Sequence, residues 1–189
     1  MIRNLIRKNR SYRRFDESVK IQKEQILSWI DLARMSASGR NNQPLKYAIA
    51  TDAEKCAEIF PCLGWAGYLK DWTGPGEKER PVAYIVVLKD HQVSDKHYCD
   101  DGIVMQSILL GAVNDGFGGC IIGTVNRKKI ARILNLPEHL EILWIVALGK
   151  PAEQIVLEEV AGDVKYWRDD SEVHHVPKRR LEDVVVVQN

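Results

Sequence analysis

Apolar residues recur at helical spacing at Ile26, Ile30 and Ala33, flanked by Leu27 and Trp29, which predicts an amphipathic helix over residues 22–35. Cys99 to Phe117 carries Ile103, Ile108, Leu109, Ala112 and Val113 in the same rhythm and predicts a core helix. Asn126 is placed to cap a further helix running to Leu134, which Leu136-Pro137 stops. The nearly unbroken apolar runs Val82–Leu88 and Ile142–Leu148 predict buried strands, the second ended by Gly149 and Pro151. Leu45–Ala50 and Cys120–Ile122 predict two more strands, and Thr51-x-x-Glu54 has the spacing of a capping box opening a helix. Residues 64–81, rich in Gly, Trp and charge, read as a loop with a short helix. Residues 152–180 read as mostly irregular, and Val184–Val187 as a strand with no partner nearby in sequence.

Mixed helices and strands, several able to pair antiparallel, give an α+β or α/β class with four or five strands. The 189 residues suit a single domain spanning 1–189, with no repeat or linker dividing them. At this length about 70% of the unfolded surface can be buried, so no metal or disulfide is needed for a core. Twenty-seven Lys and Arg against twenty-six Asp and Glu leave a net charge of +1, which argues against a nucleic-acid partner. The cations are unevenly placed. Arg3, Arg7, Lys8, Arg10, Arg13 and Arg14 precede any acid, and Lys178-Arg179-Arg180 forms a second cluster, a pattern suited to a small anion. No apolar run reaches eighteen residues, so no membrane partner is expected. A charged N-terminus and four irregularly spaced cysteines point to free thiols in a reducing cytoplasm.

Three segments carry candidate chemistry. Arg10-Ser11-Tyr12-Arg13-Arg14 combines three guanidinium forks with a serine hydroxyl, a donor set matched to phosphate oxygens, although composition alone favours a solvated basic turn between two helices. Ser38-Gly39-Arg40-Asn41-Asn42-Gln43-Pro44 offers side-chain amides that donate and accept together, as the edge of a heterocycle requires, or simply a polar turn. Gly116-Phe117-Gly118-Gly119 lacks the spacing of a dinucleotide fingerprint and follows a helix rather than a strand, leaving a helix stop or a ligand-facing bend. His91, His97, Cys99, His174 and His175 lack the paired spacing of a zinc site, and adjacent histidines on a strand point opposite ways, so no metal is expected.

Taken in order, Arg10-Ser11-x-Arg13-x-Phe15, Ser38-x-x-Asn41-x-Gln43-Pro44, Gly116-Phe117-Gly118-Gly119 leading to Ile122-Gly123, Ala147-Leu148-Gly149-Lys150-Pro151 and Lys178-Arg179 resemble the motifs of the FMN-dependent nitroreductase family across nearly the whole chain. The resemblance implies an α+β fold with a central, mostly antiparallel sheet flanked by helices and a C-terminal strand extending to the partner subunit of a homodimer. It implies FMN as cofactor, NADH or NADPH as electron donor, and a small-molecule acceptor such as a nitroaromatic or quinone. A flavin-binding protein without turnover, a carrier or redox sensor, is the alternative. By the same resemblance Arg10, Ser11, Lys178 and Arg179 hold the FMN phosphate, and Arg13 faces the O2 side of the isoalloxazine ring. Ser38, Asn41 and Gln43 address the flavin edge and ribityl chain, and Gly118 and Gly119 offer backbone near the ring. Asn9, Leu45 and Arg180 stand where the family often has Arg, Trp and Pro. The Gly64–Trp72 segment is not the common family pattern and is expected to shape the substrate pocket.

Overall fold

The apolar run in the middle of the chain becomes the centre of a five-stranded sheet in the computed structural model, which describes residues 1–186. In chain order the elements are α1 (Ile2–Lys8), β1 (Phe15–Asp16), α2 (Lys23–Arg34), β2 (Leu45–Ala50), α3 (Ala53–Ile59), β3 (Ala83–Asp90), α4 (Asp100–Asn114), β4 (Gly118–Ile122), α5 (Arg127–Ile133), β5 (Leu140–Pro151), β6 (Ile155–Glu159), β7 (Trp167–Arg168), β8 (His174–Lys178) and α6 (Leu181–Val184). β3 lies between β2 and β5, and β4 and β1 pair with β5, every pairing antiparallel. The architecture is α+β.

β3 is buried at every position because helices cover both faces of the sheet. Alternation still sorts its side chains. Ala83, Ile85 and Val87 pack with Trp29 of α2 and Ile108 of α4, whereas Tyr84, Val86 and Leu88 pack with Ile59 of α3 and Ile130 of α5. At roughly 1.5–3 kcal/mol for each fully buried large aliphatic side chain, these two layers are the main source of the fold's stability. Gly116, at φ 79°, ends the turn after α4 in a conformation that glycine adopts freely, and the chain re-enters the sheet as β4.

Several expectations are corrected. β5 continues through Gly149 to Pro151, because β1 pairs with it there: Phe15 faces Pro151 and Asp16 faces Lys150. α3 is capped by Asp52, whose carboxylate accepts from the Lys55 N–H at 3.0 Å, so the cap lies one residue beyond Thr51. No helix forms over residues 64–81. The tail after Pro151 is ordered as a second sheet, with β8 parallel to β6 and antiparallel to β7. The strand expected at Val184–Val187 is not formed where described. Glu182 and Asp183 sit in the first turn of a helix that closes at Val184, Val185 and Val186 pair with no strand, and Val187 lies outside the described residues.

Candidate functional site

The turn at residues 9–13 runs beside β4. Ser11 bridges to Gly119, and the Tyr12 N–H donates to the Gly119 carbonyl at 3.0 Å. Only glycine fits at 119, because a Cβ there would lie 2.4 Å from the Ala147 carbonyl oxygen. This turn, β4 and β8 enclose a cavity of about 360 Å³. Alternate residues of β8, His174, Val176 and Lys178, line it. α4 contributes Gln106, whose side-chain carbonyl accepts from Asn9 Nδ2 at 3.2 Å.

Among the described residues Arg10, Arg13 and Lys178 line this cavity and no carboxylate does. Arg10 Nη2 donates to the Ile6 carbonyl at 2.8 Å, while its Nε is buried without a partner among the described residues. Burial lowers the Arg10 pKa from its ordinary value. Arg13 is held by its own turn, with Nη1 3.2 Å from the Ser11 carbonyl and its guanidinium carbon 4.9 Å from the Tyr166 ring centre. The backbone beneath it is pinned by Glu153, which accepts from the N–H groups of Arg13 and Arg14 and pairs with Arg168 at 3.0 Å. His174, 1% exposed, brings Nε2 within 3.5 Å of Arg13 Nη1. Burial first, then the charge of Arg13, pushes the His174 pKa down to about 4, so at neutral pH the imidazole adds no charge to the wall.

The elbow at residues 38–43 is built on Asp100, the 2%-exposed first residue of α4. Its carboxylate accepts from Ser38 Oγ at 2.6 Å and from the Gly39 N–H at 2.8 Å, and Ser38 Oγ in turn accepts from the Gln43 N–H at 2.9 Å. These contacts hold Arg40, Asn41 and Gln43 at φ 55°, 56° and 50°, a left-handed geometry that costs non-glycine residues on the order of 1–3 kcal/mol each. Ser38 and Gln43 line a separate cavity of about 220 Å³ together with Tyr47, whose hydroxyl is pushed up to about 12, mainly by burial. No residue lines both cavities.

A third space, of about 290 Å³, adjoins the first and shares Arg13, Ile121 and Tyr166 with it. Its far side is the segment Gly64–Gly67, including Trp65, and the Tyr68 ring lies 4.9 Å from that of Tyr166.

Of the residues singled out in the sequence, Arg10, Ser11, Arg13, Gly119 and Lys178 therefore converge on one cavity. Ser38 and Gln43 line another, with Asn41 in the same elbow. Gly118 lies under Tyr12 and Pro151 rather than in the cavity wall. Arg179, one residue beyond Lys178, is exposed and lines no cavity described here. Gln106, Tyr166 and His174 were not among the expected site residues. Gln106 had left one signal, a lone polar interruption of an apolar helix, and His174 another, its i, i+2, i+4 spacing with Val176 and Lys178.

The chain is 26% identical over 175 residues to the "Cr(VI) reductase" of Pseudomonas sp. (strain G-1), covering 82% of this chain and 68% of that protein. An FMN-dependent nitroreductase of Clostridium difficile R20291 superposes with a TM-score of 0.71 at 21% identity, covering 100% of this chain and 99% of that one. The NADPH:FMN oxidoreductase of Vibrio harveyi, solved with NAD⁺, superposes with a TM-score of 0.64 at 25% identity, over 85% of this chain and 72% of that one. The family model for nitroreductases matches residues 6–67 and 83–150, and the chain belongs to the nitroreductase family.

Proposed function

We propose that the protein is an FMN-dependent oxidoreductase that passes electrons from NADH or NADPH to a small oxidised acceptor such as a nitroaromatic or a quinone. The observation that carries this reading is the cavity at residues 9–13, with three cations, the Ser11 hydroxyl and a buried Arg10 Nε that has no partner, and no carboxylate in its wall, among the described residues. That donor set fits a phosphate monoester, whose oxygens take charge-assisted hydrogen bonds from such groups. Family membership and relatives named for chromate reduction and for NADPH:FMN oxidoreduction support it.

Arg10, Ser11 and Lys178 would hold the FMN phosphate. Arg13 would hold positive charge near the N1 and O2 edge of the ring, where it favours the anionic reduced state. Bound there, FMN supplies the hydride and electron chemistry, and the protein supplies binding, orientation and charge. The chain nominates no general acid or base of its own. The aromatic side of the adjoining space, Tyr166 and Trp65, favours flat acceptors by shape rather than by functional group.

Ser38 and Gln43, from the elbow that also holds Asn41, line a cavity separate from the cationic one, which supports a site completed by a second copy of the chain. The functional unit is thus a homodimer, with cationic turn and elbow supplied by different subunits and the C-terminal tail reaching across. All four cysteines are free thiols, three of them buried, which suits a reducing cytoplasm. Among the described residues no helix is long and apolar enough to cross a membrane.

The visible spectrum tests the reading directly. Purified protein should be yellow or become so with FMN, should prefer FMN to riboflavin, and should oxidise NADH or NADPH with a quinone or nitroaromatic acceptor. Flavin binding without any turnover would make it a carrier or sensor. Failure to bind FMN would overturn the reading.

A further inference from the structure

A second polar cavity lies on the α3 side of the sheet, between the turn at residues 17–20, the start of α3 and the segment Arg80–Tyr84. It shares no lining residue with the cationic cavity. Its volume is about 130 Å³, well beyond the about 10–15 Å³ that a single water requires. Tyr84 lines it from the centre of β3, fully buried, and its hydroxyl has no hydrogen-bond partner among the described residues. Arg80 lines it as well, with its guanidinium carbon 4.5 Å from the Phe60 ring centre and its Nε buried and equally without a partner. Among the described residues neither Arg80 nor Lys20, the other cation in the wall, forms an ion pair. Buried polar groups in native proteins find partners, and these two residues border one void, where a single occupant would be within reach of both.

We propose that this cavity binds a small monocarboxylate, its carboxylate taken by Arg80 and the Tyr84 hydroxyl and its short apolar body set against Ala53, Ala57 and Phe60. A guanidinium presents its donors in a planar fork that matches a carboxylate. The Tyr84 hydroxyl stays protonated, because burial drives its pKa far upward, and it can therefore only add a donor at neutral pH. Glu17, the single acid in the wall, disfavours a dianion such as phosphate. Apart from Lys20 and Thr51 the remaining lining is apolar, which favours a carbon skeleton over a bare ion.

Calorimetry with sodium butyrate and with inorganic phosphate, on the full-length protein, decides the matter. Butyrate should bind at one site per chain, and phosphate should not compete with it. Tyr84→Phe deletes only the hydroxyl, and Arg80→Gln keeps a polar side chain of similar reach. Each should weaken butyrate by at least about tenfold, the loss of one charge-assisted hydrogen bond. Circular dichroism confirms that each variant is folded, and either one alone suffices for the test. Arg10→Ala should leave butyrate binding unchanged. No saturable binding, a preference for phosphate, unchanged affinity in a folded Tyr84→Phe or Arg80→Gln variant, or loss in Arg10→Ala would each overturn the proposal. The last outcome would place the carboxylate in the cationic cavity.

Discussion

His174 and His175 are successive residues of β8 that face opposite sides of its sheet, His174 into the cationic cavity beside Arg13 and His175 outward, its ring stacked 4.1 Å from that of Trp167. Their titrations run in opposite directions. Burial and Arg13 lower the His174 pKa to about 4, whereas hydrogen bonds to Glu158 and then Asp169 raise that of His175. A histidine whose folded pKa is depressed contributes stability that is full above its unfolded value near 6.5 and lost as pH falls towards 4. His175 contributes stability that is full below 6.5 and lost as pH rises through its elevated value. The shift at His174 corresponds to on the order of 3 kcal/mol. His174→Gln should therefore flatten the decline of stability between pH 6.5 and 4 relative to the parent protein. Imidazole chemical shifts followed by NMR check the assignment, and an ordinary titration near 6.5 for His174 would refute it.

Glu153 is the support under Arg13. Its side chain is 2% exposed and accepts from two backbone N–H groups and from Arg168, itself 8% exposed. Glu153→Ala leaves the buried guanidinium of Arg168 with only the 3.9 Å contact to Glu172 for charge and releases the 13–14 backbone, at an expected cost of about 3–5 kcal/mol. Glu153→Gln retains an acceptor and should lose less. Urea unfolding measures both, and a loss below about 1 kcal/mol in the alanine variant would show that Glu153 does not carry this load.

Much of this arrangement was legible in the sequence, for physical reasons that differ along the chain. The helices α2 and α4 and the strands β3 and β5 showed because each buries a continuous apolar face, which leaves its period in the residues. The cationic turn and the elbow did not stand out singly, since each also reads as a solvated polar turn; their order along the chain, in resemblance to a known family, singled them out. The second sheet did not show. β7 has two residues, and β8 reads His-His-Val-Pro-Lys, so neither carries a strand's apolar alternation; their order comes from the pairing of β8 with both β6 and β7 and from Arg168 and His174 beneath the site. The end of β5 was misread because Gly149 and Pro151 usually stop a strand, and only the distant pairing with β1 overrides them. The separation of the elbow from the cationic turn is a tertiary fact that spacing does not encode.

Strand alternation gives a sharp prediction within the basic pair. Lys178 faces the cavity and Arg179 does not. Lys178→Ala should weaken FMN by roughly 10- to 100-fold, the worth of one charge-assisted contact, while Arg179→Ala stays close to the parent. Riboflavin, lacking the phosphate, should respond to neither. Fluorescence-quenching titrations with both flavins provide the measurement. Equal losses in the two variants would mean that Arg179 turns inward in the assembled protein.

Arg13 is held by the Ser11 carbonyl, the Tyr166 ring and the contact with His174, so its charge is fixed in place before any ligand arrives. Arg13→Ala should lower the two-electron potential of bound FMN by tens of millivolts, since about 30 mV corresponds to about 1.4 kcal/mol and one charge-assisted hydrogen bond to roughly 1.5–3 kcal/mol. Potentiometric titration of the flavinated variant reads the shift. An unchanged potential would assign Arg13 to the phosphate rather than to the ring.

The two-chain site can be tested on a surface whose residues line neither cavity. Ile2 and Ile6 of α1 and Leu27, Leu32 and Met35 at α2 are all exposed, and Leu32 borders a depression with Leu5, Trp29 and Leu110. So many large apolar side chains on neighbouring helices make a patch that a soluble monomer seldom leaves uncovered. If a second copy covers it, one buried charge there costs enough to separate the subunits, because an unpaired charge in an apolar interface is strongly disfavoured. Leu32→Glu should then sediment as a monomer. It should also lose most of its FMN affinity, although no residue of either cavity has changed, because Ser38, Asn41 and Gln43 would no longer meet the cationic turn of the partner. Deleting residues 181–189 should have the same paired effect if the tail reaches across. Loss of both properties together is the signature of a shared site. A monomeric Leu32→Glu protein that keeps full FMN affinity, seen by light scattering and absorbance on one sample, would show that each chain builds its site alone.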